Sequence, residues 1–229
     1  MSNPASWEAA ARFSPLYAFC HVVVRNLIKG YFNHRTYHPE RVPLVGPAIL
    51  AANHVSFGDP PIIGATLPRS ISFLARDTLF RPPFFAKLIR TLNAIPIDRD
   101  GGGPAGLKIV LSRLELGEAV LLFPEGTRSM DGKVHPARNG IGLLVIRSKV
   151  PVVPLRIFGL YEAWGRDRLF PRPHPTVIKY GPAMNFEEHR AEAATASKQR
   201  LKVIYDEISR DITSAIERLE PCADVTTFP

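Results

Sequence analysis

Ala48-Ile49-Leu50-Ala51-Ala52-Asn53-His54-Val55-Ser56-Phe57-Gly58-Asp59-Pro60-Pro61 decides the fold: five apolar residues, a polar turn, then two prolines. A short apolar run that stops at turn residues reads as a buried strand, and proline is welcome at the first position of a helix. The stretch is therefore a strand, a turn and a helix beginning at Pro60. On an unbroken helix His54 and Asp59 would point roughly 140° apart at about 3.6 residues per turn, so a shared role requires the chain to bend between them. Gly58 and the proline pair supply that bend. An imidazole whose ring N–H is held by a buried carboxylate is fixed in one tautomer and can take a proton from a hydroxyl through its other nitrogen. The plainer alternative makes Asp59 a helix cap and His54 an ordinary loop histidine.

Outward from this unit, strand and helix signals alternate. Apolar, partly β-branched runs at 71–75, 94–97, 119–123, 152–157 and 176–180 read as further strands. Pro104 to Leu116 reads as a helix with Leu107, Val110, Leu111 and Leu114 on one face, and Ile141 to Ser148 as another. Leu201, Ile204, Ile208, Ile212, Ile216 and Leu219 recur every three or four residues, a C-terminal amphipathic helix whose stripe is a packing face. The alternation predicts an α/β fold with a mixed, largely parallel sheet flanked by helices. In such sheets the loops beyond the carboxyl ends of the strands converge on one crevice, so His54, Arg99 and Glu125, each just after a strand, are expected to meet there.

Phe123-Pro124-Glu125-Gly126-Thr127-Arg128-Ser129 follows the strand ending at Phe123. Its backbone amides, two hydroxyls and forked guanidinium suit an oxyanion such as phosphate. Glu125 is awkward there, because a carboxylate repels phosphate; it is expected to orient Arg128 or accept from a substrate hydroxyl. Arg99, after Ala94-Ile95-Pro96-Ile97-Asp98, is a second candidate phosphate ligand or a surface partner of Asp98 or Asp100.

With these residues in view, the chain resembles the glycerophospholipid acyltransferases typified by lysophosphatidic acid acyltransferase. The resemblance rests on four ordered blocks: the His-x4-Asp stretch Asn53–Asp59, Ala94–Arg99, Phe123–Ser129, and Val150-Pro151-Val152-Val153-Pro154-Leu155. It spans about residues 40–185. Two positions depart from the usual pattern: Asn93 stands where glycine is common, and Ala137-Arg138-Asn139-Gly140 where Phe-Lys-x-Gly often follows the third block. The resemblance implies His54 as general base, Asp59 as its orienting partner, and Arg99, Glu125, Gly126, Thr127 and Arg128 as the glycerol-phosphate site. It implies transfer of a fatty acyl group from acyl-CoA or acyl carrier protein to the free hydroxyl of a lysophospholipid such as 1-acylglycerol-3-phosphate, without metal or other cofactor. A covalent acyl-serine route is disfavoured, because no Gly-x-Ser-x-Gly elbow surrounds Ser56. Backbone amides at the start of the Pro60 helix are candidates for the thioester oxyanion. Two rivals are a hydrolase using the same base and a non-catalytic peripheral lipid-binding protein.

Composition agrees. The 229 residues suffice for one sizeable core, and two cysteines far apart argue against a disulfide framework or a cysteine metal site. Histidines show no metal-ligand spacing. A net charge of +8 favours anionic partners. Nucleic acid is excluded as the preferred one, since the basic residues are dispersed and no nucleic-acid motif interleaves them with aromatics. Residues 1–35 are dense in apolar side chains, but the longest stretch free of Asp, Glu, Lys and Arg, Phe13 to Val24, is too short for the ~20 residues of a membrane span. No secretory signal pattern is present. The expectation is an interfacial helical segment over 1–35, at the cytoplasmic face of an anionic membrane, before a catalytic domain over 36–229; the alternative is an N-terminal helix packed on the catalytic core. Two aromatic-basic patches remain: Leu79–Phe85 with Arg76, Lys87 and Arg90, for an acyl groove, bilayer contact or core packing, and Trp164–Arg172, for a donor's phosphates, an acidic carrier or, as the default, a solvated basic loop.

Overall fold

The computed structural model describes residues 13–98, 103–138 and 140–221. Along the chain run α1 (Pro15–Phe32), β1 (Arg35–Tyr37), β2 (Ala48–Ala52), α2 (Asp59–Thr66), β3 (Ile71–Arg76), α3 (Pro83–Thr91), β4 (Ala94–Ile97) and α4 (Pro104–Glu115). They are followed by β5 (Ala119–Leu122), α5 (Gly140–Ser148), β6 (Val152–Phe158), α6 (Leu160–Trp164), β7 (Val177–Tyr180), α7 (Glu187–Ala193) and α8 (Lys198–Glu217). The predicted mixed, largely parallel sheet is present: seven strands in the order β1-β7-β6-β2-β5-β3-β4, with only the β6–β7 pair antiparallel. Strand β1 has no counterpart in the sequence reading; three half-exposed residues carry too little periodicity to announce a strand.

Helices cover both faces of the sheet, which is why β2 is apolar at every position. Its alternate side chains serve two cores. Ala48, Leu50 and Ala52 pack with Ile62, Ile63, Leu160 and Tyr180 on one face. Ile49 and Ala51 pack with Val110, Leu144, Ile204, Ile208 and Ile212 on the other. The C-terminal stripe is thus a packing face, as its spacing predicts. Gly142 permits α5 to lie against α8, because a Cβ there would stand 2.2 Å from the Tyr205 carbonyl oxygen.

Helix α1 begins on Ser14, whose hydroxyl accepts the Tyr17 amide at 3.2 Å, and stops at Asn33 in the left-handed region. One face is docked: Tyr17, His21, Ile28 and Phe32 are buried, and His21 Nε2 lies 3.0 Å from the Leu67 carbonyl oxygen. The opposite face exposes Leu16, Phe19, Val22, Val23, Leu27 and Tyr31. Residues 1–12 of the expected N-terminal segment lie outside the described residues. No helix among the described residues is long and apolar enough to cross a membrane.

Candidate active site

Strands β2 and β5 are parallel neighbours in register from Ala48–Ala119 to Ala51–Leu122, so the turns leaving their carboxyl ends emerge side by side. One backbone bond and one to a side chain fasten them together: the Ser129 amide donates to the His54 carbonyl at 2.7 Å, and the His54 amide donates to Glu125 Oε1 at 3.3 Å. Two sequence-distant turns therefore form one floor.

On that floor the bend at Gly58 brings His54 and Asp59 together, with Nδ1 2.7 Å from Asp59 Oδ2. Asp59 lies in the first turn of α2, fully buried, and the same oxygen accepts the amides of Val55 at 2.7 Å and Ser56 at 2.9 Å. Three donors on one oxygen hold the carboxylate where it faces the ring. The imidazole stacks on Phe123, ring centres 3.9 Å apart, and keeps 20% of its side-chain surface exposed. Since Nδ1 faces Asp59, Nε2 is the nitrogen left for a substrate proton. The next layer is also fixed. Asn53, unremarked in the sequence, clips β2 to β6 by donating to the Ile157 carbonyl at 3.1 Å and accepting the Ile157 amide at 2.8 Å.

The expected oxyanion donors at the start of α2 are fewer than the turn's length suggests, for a simple reason. Pro60 and Pro61 carry no N–H, the Val55 and Ser56 amides go to Asp59, and the Gly58 amide goes to Ser56 Oγ at 3.0 Å. The Asp59 amide goes to the Ser56 carbonyl at 3.4 Å. Asp59 takes two of the amides that the turn offered and leaves the Phe57 amide as the remaining candidate.

The turn after β5 keeps most of the groups that the sequence offered for an anion. Ser129 turns inward, its hydroxyl donating to Asp131 at 2.9 Å, which leaves exposed Thr127 as the hydroxyl of the pair without a bond among the described residues. The Lys133 amide, the Ser129 hydroxyl and His135 together hold the Asp131 carboxyl down at about 2. Gly126 adopts φ +70°, and a Cβ there would sit 2.9 Å from Arg138 Cδ, so Arg138 lies across the turn. Arg138 supplies a cation where the Phe-Lys-x-Gly pattern would place lysine.

Glu125 is 5% exposed, and its second oxygen has no partner among the described residues. Burial pushes its carboxyl up to about 7, with the Asp59 charge adding to the rise and the His54 amide and His135 opposing it. Its negative charge is therefore partly suppressed near neutrality, which weakens the repulsion of a phosphate.

Arg128 stacks its guanidinium over the Phe57 ring at 3.4 Å, and its buried Nη1 has no hydrogen-bond partner among the described residues. Burial lowers its pKa, and the like charges of Arg166 and Arg76 lower it further against the opposing pull of Asp59 and Asp167. Three arginines thus crowd one mouth. Arg76 ends β3 and Arg166 follows α6; the sequence reading placed both in other patches, because only the strand order brings them beside Arg128. Arg99 lies outside the described residues, and the strand before it, β4, is the sheet edge three places from β2, roughly 14 Å away at about 4.8 Å per strand. Among the described residues no group of three or more His, Cys, Asp or Glu side chains could hold a metal ion.

Comparison with known proteins gives the family and the fold. The pattern that defines the acyltransferase family matches residues 33–158, more than half of the chain and both of the turns just described. A Bacillus subtilis protein named 1-acyl-sn-glycerol-3-phosphate acyltransferase is 26% identical over 90% of this chain and 99% of its own length. A Cocos nucifera protein of the same name is 27% identical over 69% of this chain but 52% of its own, so the chain spans about half of that plant relative. The crystal structure of PlsC, the 1-acyl-sn-glycerophosphate acyltransferase of Thermotoga maritima, superposes with a TM-score of 0.65 at 23% identity, covering 88% of this chain and 81% of that one, which establishes the shared fold. Matched along the family pattern and built on the same fold, the chain belongs to the acyltransferase family.

Proposed function

We propose that the protein acylates 1-acylglycerol-3-phosphate, taking the fatty acyl group from a thioester, acyl-CoA or acyl carrier protein, and giving phosphatidic acid. The observation that carries this reading is the His54–Asp59 contact at 2.7 Å, made by a fully buried carboxylate to a partly open ring. His54 Nε2 takes the proton of the acceptor hydroxyl as that oxygen bonds to the thioester carbonyl carbon. Asp59 stabilises the imidazolium. The C–S bond then breaks, and the departing sulfur recovers the proton as a thiol. Arg128, Thr127 and the Gly126 backbone hold the acceptor phosphate, Arg76 and Arg166 extend the cationic mouth, and Arg99 is the further ligand that the family resemblance implies. Such positioning can supply several kcal/mol of the barrier reduction. The site works at the cytoplasmic face of an anionic membrane, with residues 1–35 as interfacial segment; the outward apolar face of α1 supports this, as does the nearby Lys29 charge. Purified protein supplied with acyl-CoA and excess 1-acylglycerol-3-phosphate is expected to yield phosphatidic acid by mass spectrometry. Release of free fatty acid at the same rate with and without acceptor would instead establish a hydrolase.

Glu125 adds a pH dependence whose sign follows from its raised pKa. The folded protein favours the neutral carboxyl, so this group's contribution to stability is full below its ordinary value of 4.5 and is lost as pH rises through about 7. Over the same range the growing negative charge opposes a bound phosphate. The KM for the acceptor is expected to climb severalfold from about pH 6.5 to about pH 8.5 in the parent protein, and clearly less in Glu125→Gln, which mimics the neutral form. Parallel KM profiles for the two proteins would remove Glu125 as the cause.

A smaller effect is expected under the imidazole. Phe123→Ala removes the ring stacked on His54 and should lower kcat about tenfold with KM little changed, because a loosened base spends less time in line with the hydroxyl. Steady-state kinetics at saturating donor reads the split.

A further inference from the structure

Leu169 and Phe170, at the tip of the loop after α6, are 81% and 77% exposed. The loop that carries them is fastened at its base: the Arg172 amide donates to the Ala163 carbonyl at 2.9 Å, Arg172 Nε to the Glu162 carbonyl at 2.8 Å, and the Arg168 amide to the Gly165 carbonyl at 3.1 Å. Two large apolar side chains fixed outward on a pinned loop gain nothing from folding, and an exposed apolar patch of this kind marks a surface that is covered in use.

Charge and position say by what. Arg166, Arg168 and Arg172 are exposed around the tip, against one acid, Asp167. Pro171 accepts a hydrogen bond from the Tyr31 hydroxyl at 3.0 Å, which ties the loop to the end of α1, whose outward face carries Phe19 at 66% and Leu27 at 62% exposure. Toward the crevice, Arg166 lies close enough to Arg128 for the two charges to repel. Apolar tip, cationic collar and continuity with a second apolar face are the features of a segment that enters the acyl–headgroup boundary while its arginines meet lipid phosphates.

We propose that the Leu169-Phe170 tip is a second membrane-insertion element for an anionic bilayer, acting with α1 to press the mouth of the His54 crevice against the lipid surface. The proposal rests on the membrane reading of α1 for its orientation, but concerns a separate surface. An acidic carrier protein fits the arginines less well, because it leaves the two adjacent apolar side chains without a role.

The test uses full-length protein and two vesicle compositions, phosphatidylcholine alone and phosphatidylcholine with about a third phosphatidylglycerol. The double variant Leu169→Ser/Phe170→Ser is expected to bind the anionic vesicles roughly 30-fold more weakly or worse, since burial of each side chain is worth about a decade or near it. Its thermal unfolding and its turnover of a water-soluble short-chain acceptor should match the parent. Arg168→Gln should flatten the rise of binding with anionic lipid content. Phe170→Trp should show a blue-shifted emission difference when vesicles are added. Parent-like sedimentation of the double variant, or an unshifted Phe170→Trp, overturns the proposal. So does parent-like vesicle binding combined with lost turnover only when a carrier protein delivers the acyl group, which would make the loop a carrier dock. Vesicle binding is read without turnover, so failure of the acceptor assignment leaves this result standing or falling by itself.

Discussion

Replacing His54 by alanine is expected to lower turnover about a thousandfold while the folded protein persists, because a positioned base is removed from a proton transfer. The ring is partly exposed, and its main-chain bonds to Glu125 and Ser129 survive the change. The partner separates two roles. In Asp59→Asn the amide oxygen can still accept from the Val55 and Ser56 amides, so the turn holds, but the negative charge that stabilises an imidazolium is gone. A fall of about a hundredfold or more in kcat with near-parent melting is the expected result. Asp59→Ala leaves those two buried amides without acceptors and should cost about 2–5 kcal/mol of stability as well. Rates and melting curves of the three variants, measured together, distinguish a catalytic pair from a structural clip. Full turnover in His54→Ala would end the general-base assignment.

Much of this site was legible before any coordinates. Uninterrupted apolar runs at 48–52 and 119–123 announced strands buried on both faces, and a parallel sheet places the turns after such strands at one end. From that, His54, Asp59, Glu125 and Arg128 could be gathered in advance. What stayed hidden depends on neighbours that are distant in sequence. The approach of Arg76 and Arg166 to Arg128 needs the strand order, which no local pattern encodes. Asn53 looks like any turn asparagine until Ile157 is placed beside it. The partial neutralisation of Glu125 is a consequence of burial, and burial belongs to the assembled fold. The oxyanion expectation narrowed partly on visible grounds, since prolines have no N–H. Its other half, the capture of the Val55 and Ser56 amides by Asp59, could be seen only in three dimensions.

Arg128→Ala should raise the KM for a phosphomonoester acceptor about a hundredfold and leave the melting temperature unchanged or slightly higher. An arginine that served the fold would have its donors satisfied and its charge countered. This one has a buried Nη1 without a partner among the described residues, lies on the face of Phe57, and is pressed by the like charges of Arg166 and Arg76. In the free protein the unpaired donor and the crowded like charges are costs, which the Phe57 ring and the charges of Asp59 and Asp167 offset in part. A phosphate reverses them together: it supplies acceptors to the orphaned donor, offsets three neighbouring positive charges, and finds a guanidinium already stripped of part of its water. A charge-assisted bond of this kind contributes roughly 1.5–3 kcal/mol, which corresponds to about ten- to a hundredfold in affinity, and the relief of repulsion places the expectation at the upper end. Arg128→Lys should recover little of the loss, because an ammonium neither forks toward two oxygens nor stacks on the Phe57 ring. Raised salt should weaken acceptor binding in the parent more than in Arg128→Ala, since part of the attraction is then already missing. A variant that melts much earlier than the parent, with KM unchanged, would assign Arg128 to the scaffold and move the phosphate elsewhere.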